Sequence, residues 1–126
     1  MKKNTILFVL LIEILLTGCT AKLNYKSKKM IDSNNKYTVE IKMKKTINSI
    51  LSTERRITNK ITLYINNEIV LKGNLYEDES GEIQGMYKNK KLNLECSKDS
   101  IFSPLFCIVH LGNKHIGESR LEIYQR

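Results

Sequence analysis

Ile61-Thr62-Leu63-Tyr64-Ile65-Asn66-Asn67-Glu68-Ile69-Val70-Leu71 reads as two apolar, alternating runs separated by a pair of asparagines. Residues two apart in a strand share a face, so Ile61, Leu63 and Ile65 form one side of a half-buried strand. Asparagine tolerates left-handed backbone, which lets Asn66-Asn67 serve as a hairpin turn. The return strand continues through Gly73, Leu75 and Tyr76 until the acidic, polar run Glu77-Asp78-Glu79-Ser80-Gly81 breaks it.

The same pattern recurs on both sides. Upstream, Tyr37-Thr38-Val39-Glu40-Ile41-Lys42-Met43-Lys44 alternates strictly, with Tyr37, Val39, Ile41 and Met43 on one face. Residues 46–59 are ambiguous: Ile47, Ile50, Leu51 and Glu54 have helical spacing, while the β-branched residues argue for an irregular strand or loop. Downstream, Ile83 to Tyr87 and Lys91 to Cys96 flank a turn at Lys88-Asn89-Lys90. Phe106 to Leu111 then leads over Gly112-Asn113 to His115-Ile116-Gly117, with a last strand near Leu121-Glu122-Ile123-Tyr124. The expected fold is all-β and mainly antiparallel: a small sandwich or barrel of about seven short strands, with room for one short helix at 46–59.

The domain is expected over 37–126. Ahead of it, 19–36 is rich in Lys, Ser and Asn and reads as a flexible basic tether. Residues 1–18 have the three parts of a signal peptide: the cationic head Met1-Lys2-Lys3, the apolar stretch Thr5 to Leu16, and small residues at its end. That stretch is short for a bilayer span, which needs about 20 apolar residues, and Glu13 interrupts it. Leu16-Thr17-Gly18-Cys19 resembles the lipobox of bacterial lipoproteins. The resemblance covers this segment alone and implies cleavage after Gly18 and lipid attachment to Cys19 by a thioether, with palmitate-type acylation of the new terminus. A single acyl chain gives marginal membrane residence, whereas two or three hold a domain persistently. In such lipoproteins an aspartate after the cysteine signals inner-membrane retention. Here that residue is Thr20, which favours the outer membrane where the cell has one, with the periplasmic or surface face undecided.

Removal of 1–18 from the 126 residues leaves 108, enough for one domain. The whole chain carries 21 basic and 13 acidic residues, and without Lys2, Lys3 and Glu13 the remainder is +7. A balance of this kind favours anionic partners, and export makes nucleic acid the least fitting of them. Lys22, Lys26, Lys28 and Lys29 are the expected membrane-proximal set, each contributing about 1 kcal/mol near anionic headgroups. With Cys19 assigned to lipid, Cys96 and Cys107 remain as a pair. Cys96 shares a face with Leu92 and Leu94, and Cys107 with Val109 and Leu111, so both sulfurs are expected to point into one core and to form a disulfide. A metal site at these cysteines lacks further ligands at tight spacing.

Catalytic patterns are missing. There is no Gly-x-Ser-x-Gly. His110 and His115 flank a turn, with Glu118 the nearest third metal ligand, and read as exposed polar residues. Glu77, Asp78, Glu79 and Glu82 read as a solvated acidic loop. No catalytic residue, cofactor or metal is therefore expected. The role that fits is a membrane-anchored binding or structural module for another envelope protein, of the kind used in secretion, conjugation or surface exclusion. The alternative is an inhibitor of a lysozyme-like hydrolase, which a +7 charge disfavours because many such enzymes are basic.

Overall fold

Alternation along the chain becomes a continuous antiparallel sheet in the computed structural model, which describes residues 19–50 and 54–124. Nine strands lie among these residues: β1 (Cys19–Lys26), β2 (Met30–Ile31), β3 (Thr38–Ile50), β4 (Glu54–Ile65), β5 (Glu68–Leu75), β6 (Gly81–Tyr87), β7 (Lys90–Ser97), β8 (Leu105–Leu111) and β9 (Lys114–Ile123). Their order is β5-β4-β3-β1-β9-β8-β7-β6, with β2 added to β3. The sheet curls until β5 and β6 approach each other, nearly closing a barrel.

The core is the inward face of that curl. Val39, Ile41 and Met43 of β3 meet Ile61, Leu63 and Ile65 of β4, and Leu92, Leu94, Cys96, Cys107, Val109 and Leu111 line the opposite wall. The predicted faces are the buried ones. The turns also follow from their residues. Asn66 and Asn67 adopt φ of 52° and 67°, and Lys88 and Asn89 adopt 48° and 64°, both the left-handed pairs that two-residue hairpins require. At the third hairpin Gly112 takes φ 62°, at a site where an added Cβ would meet open space. These three turns and the β2 segment occupy one end of the barrel, here called the lower end. The upper end carries loops 76–80 and 98–104.

One alternative left open by the sequence is resolved and one expectation is corrected. Segment 46–59 contains no described helix: β3 continues to Ile50 and β4 begins at Glu54, with 51–53 outside the described residues. The β-branched residues decide it, because Thr46 pairs with Thr58 and Ile47 with Ile57 across the hairpin. The expected flexible tether is likewise structured. β1 pairs with β3 in unbroken register from Cys19↔Ser49 to Lys26↔Lys42 and touches β9 at Tyr25↔Ile123, so the folded unit begins before Tyr37. Ala21, Leu23 and Tyr25 alternate with Lys22, Asn24 and Lys26, a strand pattern obscured by the lysine-rich composition. Ser27 locks the end of β1 reciprocally: its backbone N–H donates to the Ile41 carbonyl (2.8 Å), and its Oγ accepts from the Ile41 N–H (2.8 Å). Asp32 is buried against Lys114 Nζ at 3.0 Å. The added strands β1 and β2 account for nine strands in place of about seven.

Candidate functional site

Beyond the barrel's upper end, β1, β3 and β4 run on as a three-stranded arm. Its base is set where Lys45 of β3 reaches Glu79, and its far part is set where Cys19, Ser49 and Arg55 lie in one register row. Four residues of β3 separate these levels, about 13 Å at ~3.3 Å per residue. Cys19 is the first described residue, and the expected signal peptide at 1–18 lies outside the described residues.

Glu79 organises the rim. Its φ of 71° is left-handed, and its carboxylate is almost wholly buried, accepting from Lys45 Nζ at 2.7 Å and Lys98 Nζ at 2.8 Å. Burial alone would raise its pKa, but the two lysine hydrogen bonds and their charges outweigh that and hold the carboxyl below the ordinary glutamate range. Burial raises the phenol of Tyr25, and the Glu79 charge adds to the shift. Asn59, fully buried on β4, donates to the Tyr76 carbonyl at 2.7 Å. Asp78 accepts from the Ser80 N–H at 3.0 Å and from the Ser80 hydroxyl at 2.6 Å, closing the turn. The acidic run is thus only partly the solvated loop expected. Glu77 and Asp78 are exposed, while Glu79 ties loops 76–80 and 98–104 to β3.

The second loop carries an apolar tip. Cys96 and Cys107 stand opposite each other on β7 and β8 and are joined by a disulfide, as their parity predicted. Within the loop they close, the Ser103 N–H donates to the Ser100 carbonyl at 3.1 Å, and the two serine hydroxyls lie 2.9 Å apart. Ile101 and Phe102 form the apex of that turn, 86% and 96% exposed.

The predicted basic set is dispersed. β1 is 8 residues long, so Lys22 lies within ~10 Å of Cys19 along the strand while Lys26 lies ~23 Å away. Lys26, Lys28 and Lys29 instead line a groove of about 720 Å3 with Arg120, Glu40 and Glu122. The cations brought level with the start of β1 are Arg55 and Arg56, whose partners are Ser49 and Asn48. Sequence reading missed them because only the β3–β4 pairing places them there. His110 and His115 meet edge to face with ring centres 5.5 Å apart, and Glu118 lies 3.4 Å from His115. Both His115 and Glu118 are about half exposed, and among the described residues no group of three or more His, Cys, Asp or Glu side chains is placed to hold a metal.

A different kind of site lies where the barrel fails to close. No ladder joins β5 to β6 among the described residues, although both line one seam. Side chains seal its inner half: Ile83 occupies the space where a Cβ on Gly73 would sit at 2.6 Å, and Leu71 the space at 2.7 Å from a Cβ on Gly85. Two strand edges are left without backbone partners among the described residues. Near the lower end of the seam, Ile69 of β5 and Met86 of β6 are exposed at 52% and 65%. A bulge at Leu63/Tyr64 puts Ile69 opposite the outward-facing Tyr64.

Together these features define a small, disulfide-stapled antiparallel β-barrel with one open seam and a projecting arm. Comparison with known protein families, with characterised proteins and with solved structures found no match.

Proposed function

We propose that the protein is an exported lipoprotein, anchored in the outer membrane through acylated Cys19, that acts as a non-enzymatic binding module for another envelope protein. The observation behind the partner-binding role is the β5–β6 seam. Unpaired strand edges are a common means by which β-domains recruit an extended segment, with main-chain hydrogen bonds giving affinity and flanking pockets giving selectivity. Ile69 and Met86 flank this edge with apolar surface that the barrel does not use. The lipobox-like Leu16-Thr17-Gly18-Cys19 supports export and anchoring, and the single remaining cysteine pair, joined as a disulfide, suits an oxidising compartment.

Affinity recovery of the membrane-extracted protein should yield a stoichiometric protein partner. Ile69→Glu with Met86→Glu should lose it while keeping the fold by circular dichroism. Retention of the partner by the double variant would remove the seam from the interaction. The inhibitor alternative is read by the same purified protein in a lysozyme lysis assay. Dose-dependent protection there, with no envelope partner recovered, would replace the present reading. Mass spectrometry of the mature chain should find acylated Cys19 and no free thiol, and a chain retaining 1–18 would overturn the anchor.

A further inference from the structure

We infer that the Ile101–Phe102 tip is a membrane-insertion finger that dips into the bilayer beside the Cys19 anchor. Only the identity of the membrane rests on the anchoring reading; the loop's geometry stands apart from it. Four features point to an apolar surface as what the tip meets.

The first is cost. Two large apolar side chains stand almost fully in water at the apex of one turn, although the loop had polar alternatives on either side in Ser100 and Ser103. The second is rigidity. The disulfide closes the base of the loop, the Ser100–Ser103 contacts fix its apex, Lys98 ties one limb to buried Glu79, and Leu105 anchors the other limb in the core. A preorganised apolar tip loses little entropy on insertion.

The third feature is level. The arm rises ~13 Å above the Lys45–Glu79 contact at ~3.3 Å per residue, and Ser100 and Ile101 line one cleft with Lys45 and Glu79 beside its base. Arm and finger therefore stand side by side on the same end of the barrel, and the lower end, with its tight turns, faces away. The fourth is charge. Lys22, Arg55 and Arg56 are exposed on the arm, where they would lie against headgroup phosphates once the tip is seated. This division, apolar apex in the acyl boundary and cations at headgroup level, is how interfacial segments hold to anionic membranes.

The chain contains no tryptophan, so Phe102→Trp installs a lone tryptophan reporter at the apex and Ile31→Trp installs one at the lower end, each excited selectively over the tyrosines. Phe102 and Ile31 are both exposed, Ile31 at 68%, so neither change disturbs the core. Each variant, isolated from membranes as the mature protein, would be reconstituted in vesicles of phosphatidylethanolamine with phosphatidylglycerol, with bromine-labelled acyl chains as quencher. The expected result is blue-shifted, bromine-quenched emission from the Phe102→Trp variant and water-like, unquenched emission from the Ile31→Trp variant. Mass spectrometry of the same samples separates the two claims. Acylated Cys19 with a water-exposed apex reporter overturns the finger and leaves the anchor standing. Unacylated Cys19 with a quenched apex reporter overturns the anchor and supports the finger. An apex reporter that stays aqueous on vesicles but becomes shielded in native envelope fragments assigns the tip to a protein and overturns the lipid assignment. Substituting Arg55 and Arg56 by Gln in the Phe102→Trp background should at least halve the quenching at low salt. Equal quenching in that variant would overturn the role given to the arm's cations.

Discussion

Replacing Glu79 by Gln tests whether the upper rim is held by charge. In the folded protein the carboxylate takes a hydrogen bond from each of Lys45 and Lys98, and the three groups are mostly buried, with side-chain exposures of 3%, 16% and 21%. Removing one member of a buried ion pair costs about 3–5 kcal/mol because its partner is left charged and poorly solvated. Both lysines retain some water, and glutamine still offers one acceptor, so ~2–4 kcal/mol is expected here. With a urea slope of roughly 1–3 kcal/mol/M for a small domain, the midpoint should fall by about 1–2 M at pH 7. A carboxyl held below its ordinary value binds protons less readily folded than unfolded. Its stabilisation is therefore complete above the unfolded value, about 4.3, and fades as pH falls through the lower folded value. Urea titrations of both proteins from pH 7 to pH 2 should converge in acid. A gap of the same size at both extremes, or no gap at pH 7, would refute the electrostatic account of the rim.

The staple, the seam and the first hairpin each make a separate demand. Cys96→Ala with Cys107→Ala should lose about 3 kcal/mol through the small loop released, lowering Tm by roughly 12–20 °C in a calorimetric scan, and dithiothreitol should produce the same shift in the parent protein. Gly85→Val should cost ~1–3 kcal/mol in chemical denaturation, since its first carbon would sit 2.7 Å from Leu71 Cδ1, while Gln84→Val, one residue away and facing solvent, should stay within about 0.5 kcal/mol. Asn66→Ala should cost ~1–2 kcal/mol in the same measurement by forcing alanine into left-handed backbone and removing the side-chain oxygen that accepts from the Thr38 N–H at 2.9 Å.

Much of the fold was legible because β-structure writes itself in alternation. Val39, Ile41 and Met43, and later Leu92, Leu94 and Cys96, could be assigned to the core from spacing alone, and the inward parity of Cys96 and Cys107 anticipated their disulfide. Illegible were the features that depend on partners distant in the chain. β1 carries too many polar residues to be read as a strand, and only thirteen-residue β3 supplies the ladder that orders it. Glu79 looked like its acidic neighbours because nothing local distinguishes a carboxylate that two lysines, from positions 45 and 98, will surround. Arg55 and Arg56 gained their position from a hairpin whose residues had equivocal local preferences. Ile101-Phe102 did leave a signal, two large apolar residues between serines in a turn, but it carries meaning only once the rest of that loop is seen to be pinned.

The ordering of β1 alters what an anchor at Cys19 would accomplish. A disordered tether of 18 residues, 19–36, would let the domain wander and tumble over a radius of about 23 Å at ~5.5 Å per root residue. With Cys19 instead at the head of a paired strand, the acyl chains would attach to the end of the arm, whose strands continue into the barrel wall, and the axis would be constrained with respect to the bilayer. The β5–β6 seam runs along that axis. Its lower part, where Ile69 and Met86 are exposed, sits near the end opposite the arm. A barrel held upright by the arm and the Phe102 tip would present that edge laterally, at most ~30 Å from the level of Cys19 at ~3.3 Å per residue along β4 from Arg55 to Tyr64. A partner reaching it would have to be a tall membrane protein or a soluble segment in the compartment, and not a short loop at the bilayer surface. Shortening β3 and β4 by matched pairs at the arm would lower the edge without altering it. Loss of partner recovery in such variants, with seam and fold intact, would mean that height is part of the recognition.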